Sequence, residues 1–114
     1  MSYKQYEIWI ADLSPRYGTE PGKKRPVVII QTDLLNKVNH PSTVICPITT
    51  NVNLKAKILR VNLKKGEGGL TKESDILVDQ IRTIDNRRFE KRIGKLPKKK
   101  QDQLQTSLKI VLDI

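Results

Sequence analysis

Residues 18–31 read Gly18-Thr19-Glu20-Pro21-Gly22-Lys23-Lys24-Arg25-Pro26-Val27-Val28-Ile29-Ile30-Gln31, and two kinds of chain meet there. The first belongs to a long loop, Ser14 to Lys24, punctuated by Pro15, Gly18, Pro21 and Gly22. The second, Val27 to Gln31, is an unbroken β-branched and apolar run, which predicts a strand covered on both faces. Arg25 stands at the junction, and the ring of Pro26 biases it towards an extended backbone. An extended backbone at a strand mouth holds a guanidinium more firmly than a mobile loop tip does. Lys23 and Lys24, by contrast, read as solvated loop cations. The stretch therefore predicts a buried strand fed by a basic loop, and most of the chain repeats that alternation of short strands and polar turns.

On the N-terminal side, Tyr6 to Leu13 alternates, with Ile8 and Ile10 facing one way and Glu7, Trp9 and Ala11 the other, and predicts a first strand in which Trp9 is core. On the C-terminal side, Thr32 to Lys37 predicts a short helix capped by Thr32, and Asn39-His40-Pro41-Ser42 a turn. Thr43 to Thr49 predicts a third strand, with Pro47 pointing to a sheet edge or a bulge. Ile58 to Leu63 predicts a fourth strand, and Gly66, Gly68 and Gly69 a hairpin loop. Ile76 to Ile84 predicts a fifth strand broken near Asp79, and Arg92 to Lys95 a short further one. After Pro97 the apolar positions Leu104, Leu108, Val111 and Leu112 recur at helical spacing. The fold class expected is mainly β with short helices (α+β): a small twisted antiparallel sheet or partial barrel with a C-terminal helix.

The bulk numbers narrow the function classes. A chain of 114 residues, 37% hydrophobic and 30% charged, is expected to form one domain over residues 1–114. A domain of that size buries only about two-thirds of its unfolded surface, so homodimerisation is an ordinary way to bury more. No apolar run reaches the ~20 residues of a membrane span, and the N-terminus lacks a secretory apolar stretch, so a cytoplasmic protein without membrane contact is expected. Cys46 is the single cysteine, which excludes a disulfide framework or a cysteine metal cluster within the chain. Lys and Arg total 22 against 12 acidic residues, a net charge of +10 that draws polyanions, nucleic acid foremost. Gly66-Glu67-Gly68-Gly69 is too short for a phosphate-binding loop. Asp75 and Asp79 alone are too few carboxylates for a metal nuclease.

GTEPGKKRPVVII (18–30), CPITT (46–50) and DQIRTID (79–85), in this order and spacing, resemble the MazF/PemK family of toxin endoribonucleases. The similarity runs over nearly the whole chain. It implies a compact twisted antiparallel sheet related to that of the CcdB gyrase toxins, a homodimer, and sequence-selective cleavage of single-stranded RNA without a metal or other cofactor. The family's catalytic arginine falls on Arg25 and its catalytic threonine on Thr49. Without the resemblance, Thr49 and Thr50 read as turn residues at a strand end. Tyr17, Thr19, Glu20, Lys24, Thr50 and Gln80 complete the surface expected to contact RNA, Tyr17 by stacking and Gln80 by offering donor and acceptor to a base edge. The chain departs from the family pattern at Thr19, where a serine is common, and at Pro21, where a glutamine is. The resemblance further implies an acidic antitoxin as partner. A toxin of the same fold that blocks a protein such as gyrase without catalysis is the alternative, and it has no need of the Arg25–Thr49 pair.

Cleavage of this kind follows from the substrate. RNA carries its own nucleophile, the ribose 2′-hydroxyl. Its attack on the adjacent phosphorus places charge on the non-bridging oxygens, which a planar guanidinium binds two at a time. A cyclic phosphate and a 5′-hydroxyl are the products expected. Arginine stays protonated, which makes Arg25 a poor general base. Histidine is the side chain best suited to proton transfer, but His40, the only one, reads as a surface turn residue.

Overall fold

A computed structural model describes residues 2–15, 17–20 and 22–114. Its strands are β1 (Glu7–Asp12), β2 (Lys24–Ile29), β3 (Ser42–Thr49), β4 (Arg60–Leu63), β5 (Ser74–Leu77), β6 (Arg82–Asp85) and β7 (Phe89–Lys95), with helices α1 (Asp33–Asn36) and α2 (Lys98–Leu112). The strands form one seven-stranded sheet in the order β4-β5-β3-β2-β1-β7, and β6 pairs with β3 off that path. All pairings are antiparallel. The expected break near Asp79 is the interval between β5 and β6, where the Gln80 amide turns back to the Leu77 carbonyl. Thr32 caps α1 as expected, its hydroxyl accepting from the Leu34 amide at 3.2 Å.

The sheet curls around one of its faces. Ile8, Val28, Cys46, Ile48, Val61 and Ile76 point inward, and Leu104 of α2 closes this core from the side. On the opposite face Trp9, Ala11, Leu13, Val27, Ile29, Ile45, Ile84 and Phe89 form a second cluster. β1 therefore buries side chains on both faces, not only on the Ile8–Ile10 side, because the Tyr3 and Phe89 rings pack on Trp9 at its outer surface. The barrel stays open between β4 and β7. A 3-10 turn, Glu67–Gly69, in the β4–β5 connection packs against β7 across that gap.

Several boundaries differ from the sequence expectation for identifiable reasons. Pro47 lies inside the sheet, paired with Val27, and not at an edge. Val44 turns its carbonyl to the β2 side, where it accepts from the Ile30 and Gln31 amides. By strand alternation the missing N–H of residue 47 faces the other side, in the interval between the β6 and β5 ladders. Proline is tolerated there because no ladder bond is lost. β4 begins at Arg60, and Ile58 and Leu59 belong to a mostly exposed loop. β7 begins three residues before Arg92, at Phe89, whose ring joins the outer cluster. In α2, Leu104, Leu108 and Val111 face the core, whereas Leu112 sits at the margin of that stripe in the last turn and is exposed.

Candidate active site

The outer sheet face changes character along its strands. Its β1–β2–β3 half is the apolar cluster, and beyond Val27 and Pro47 it turns polar. Continuing the Val27↔Pro47 ladder by one two-residue step sets Arg25 opposite Thr49. Thr49 pairs in turn with Asp75, and Asp75 with Asn62, while Leu77 pairs with Arg60. Side chains directly across an antiparallel ladder share a face, so Arg25, Thr49, Asp75 and Asn62 lie in one row, with Arg60 on the same face one step along. Strand alternation alone accounts for the arrangement.

Arg25 is fixed on both sides of its fork. Its Nε donates to the Gly22 carbonyl at 2.9 Å and its Nη1 to the Ile48 carbonyl at 3.5 Å, one residue from Thr49. The Thr49 hydroxyl accepts from the Asn51 amide at 3.1 Å, which leaves its own proton to be donated elsewhere. Both side chains are half-buried, and both line an open groove of about 510 Å³. Thr19, Glu20 and Gln80 line the same groove.

Three expected contact residues lie outside it. Lys24 alternates to the other side of β2, where it pairs with Glu90 at 3.0 Å, and that carboxylate raises its pKa. Tyr17 is well exposed on the β1–β2 loop, and Thr50 is exposed just past β3; neither is in the groove wall. Pro21 lies outside the described residues. His40 bonds the Ser42 carbonyl through Nδ1 at 2.8 Å and is not in the groove wall, in keeping with a surface role.

The structure also brings in residues the sequence reading did not select. Asn51, Asn53, Leu59, Arg60 and Asp79 line the groove. Most come from the loop between β3 and β4, which has no periodicity to signal its path. Asp75 organises that loop: fully buried, it accepts from the Asn53 amide at 2.8 Å, Asn62 Nδ2 at 3.0 Å and Arg60 Nη1 at 3.0 Å. Asp75 and Asp79 do not act together, since the first is locked in this network and the second is exposed on the turn after β5. Among the described residues no group of three or more His, Cys, Asp or Glu side chains is placed to hold a metal ion. No helix among them is long and apolar enough to cross a membrane.

Comparison with known proteins gives the family and the fold. Residues 4–112 match the family model described as PemK-like, MazF-like toxin of type II toxin–antitoxin system. A relative from Staphylococcus saprophyticus, named Endoribonuclease MazF, is 40% identical over 109 residues, covering 95% of this chain and 89% of its own. The solved structure of MazF from Deinococcus radiodurans superposes with a TM-score of 0.83 at 21% identity, over 100% of this chain and 99% of that one. An endoribonuclease in complex with its cognate antitoxin, from a mycobacterial species, superposes with a TM-score of 0.81 at 17% identity, over 99% and 97%. By sequence over almost its whole length, the chain belongs to the PemK-like, MazF-like toxin family of type II toxin–antitoxin systems.

Proposed function

We propose that this toxin is a sequence-selective endoribonuclease that cleaves single-stranded RNA, with Arg25 and Thr49 as its catalytic residues. The observation that carries the reading is their meeting in one groove, although 24 positions separate them in the chain. A phosphodiester seated there receives the Arg25 guanidinium on two non-bridging oxygens and the Thr49 hydroxyl on a third position. Both groups stabilise the charge that grows as the 2′-oxygen bonds to phosphorus and the bond to the 5′-oxygen breaks; the 2′-hydroxyl proton passes to solvent water, and the departing 5′-oxygen takes a proton from Arg25, which solvent restores. The products are a 2′,3′-cyclic phosphate and a 5′-hydroxyl. Thr19, Glu20 and Gln80 contact the flanking nucleotides, and Gln80 reads a base edge through its amide. Tyr17 and Thr50, exposed outside the groove wall, extend the contact to a longer RNA, whereas Lys24, turned to Glu90 on the other side of β2, adds only long-range charge.

Residues 1–114 act as one toxin domain in the cytoplasm, as a homodimer, and an acidic antitoxin restrains it. Exposed Leu34, Leu35 and Val38 on and beside α1 supply apolar surface for pairing, and the +10 charge favours an acidic partner over the RNA groove. A relative of the same fold has been solved with its cognate antitoxin, which supports such a partner. The gyrase-blocking alternative is not favoured, since the curated relatives bear the name endoribonuclease.

The test is incubation of purified protein with a long mixed-sequence RNA in EDTA, followed by mapping of the new ends. Cleavage at a recurring short sequence, leaving 5′-hydroxyl ends, is expected. An intact RNA at every concentration of protein overturns the assignment.

A further inference from the structure

Asp75 is a fully buried carboxylate, and burying it has a purpose to be found. Two neutral donors already serve it, the Asn53 amide and Asn62 Nδ2. Its third partner is Arg60, whose Nη1 also donates to the Asn51 carbonyl at 2.9 Å. The Arg60 side chain is not buried with its partner: it keeps 21% of its surface exposed against 1% for Asp75. A guanidinium has five N–H donors, and among the described residues only Nη1 of Arg60 is engaged. Buried ion pairs stabilise folds little compared with apolar packing, so a rigid, half-open pair at a groove wall calls for another reason.

Its position supplies one. Arg60 lines the same groove as Arg25 and Thr49, and with Asn53 it also borders an adjoining depression of about 170 Å³ that Lys57, Asn62 and Gln103 help to line. Arg60 therefore stands where the groove passes into its continuation. From β2 across β3 and β5 to β4 there are three inter-strand spacings, roughly 14 Å of sheet, more than one phosphate can span.

We propose that Arg60, clamped by Asp75, is a second phosphate-binding guanidinium that grips the RNA backbone away from the scissile bond and leads the strand into the adjoining depression. This rests on the endoribonuclease reading and deepens it. Arg25 and Thr49 act on the reacting phosphate; Arg60 sets affinity and register and takes no part in the bond changes. The buried carboxylate immobilises the guanidinium, so little side-chain freedom is lost when RNA binds.

The test compares wild type with Arg60→Ala and with the double variant Arg60→Gln/Asp75→Asn. The double variant leaves net charge unchanged and strands no buried carboxylate, so it separates loss of the contact from loss of the fold. Binding is measured against salt with an RNA made uncleavable by 2′-deoxy substitution at the ribose whose 2′-hydroxyl would attack. One lost phosphate contact on a single strand lowers the log–log salt slope by about 0.7. On cleavable RNA, kcat/KM is expected to fall about 10- to 100-fold, through KM, with kcat nearly unchanged. A folded double variant with the wild-type slope and wild-type KM overturns the proposal and leaves the cleavage assignment standing. A wild type that cuts no RNA overturns the cleavage assignment, and the slope on uncleavable RNA still decides whether Arg60 holds phosphate.

Discussion

Arg25 and Thr49 have different reasons to be rigid. The arginine is tied through two of its nitrogens to backbone carbonyls, and the threonine is tied through its oxygen to an amide two residues on. Both are therefore held with little left to reorganise, the condition under which a fixed donor is worth most. Arg25→Ala and Thr49→Ala are each expected to lower kcat by about 10²–10³, measured by single-turnover cleavage of a short RNA. Arg25→Lys recovers little, because an ammonium does not bind two phosphate oxygens as a planar fork does. Cys46 illustrates the opposite kind of residue. It lies wholly inside the barrel, and burial, helped by the Asp79 charge, pushes its thiol up to about 12. It is expected to stay unmodified by a thiol reagent at pH 8 in the native protein and to react once the chain is unfolded. Fast native labelling would contradict that packing.

At the scale of elements, the corner from β6 into β7 shows how short-range electrostatics holds a turn. Asp85 pairs with the Arg87 guanidinium at 3.0 Å and accepts from the Arg87 amide at 2.8 Å, and these bonds lower its pKa to about 2. An ordinary aspartate titrates near ~3.9, so the folded state holds the proton less tightly than the unfolded one. The stabilisation is thus fully present above about pH 4 and is lost as pH falls towards 2. Asp85→Asn removes that increment, so the difference between its stability and that of the wild type is expected to shrink as pH falls from 4 to 2. Urea unfolding at each pH reads it. The β3–β4 loop is held differently, from below, by one buried carboxylate that fixes Asn53 and Arg60 together. That is why an aperiodic loop can wall a functional groove.

At the scale of the molecule, curling the sheet decides both stability and site. The turn that packs against β7 across the open gap does so through glycine: a Cβ on Gly94 would lie 2.2 Å from the Gly68 carbonyl oxygen, and one on Gly69, at φ +81°, 1.9 Å from that of Ile93. Backbone meets backbone there, and neither side can yield. Gly94→Ala is expected to cost about 1–3 kcal/mol in urea unfolding; a stability equal to wild type would mean that this contact does not hold the turn against β7. The sequence by itself determined the strands whose apolar runs are continuous, the caps and turns and the terminal helix, while the proposed Arg25–Thr49 pair came from a family resemblance. These are local signals, written in residues near one another. Only the tertiary structure decided that Pro47 sits within the sheet, that Lys24 turns to Glu90 while its neighbour Arg25 enters the groove, and that Asp75 clamps Arg60 beside it. Each of those depends on which strands become neighbours, and strand pairing joins residues far apart in the chain by backbone hydrogen bonds that carry no side-chain signature.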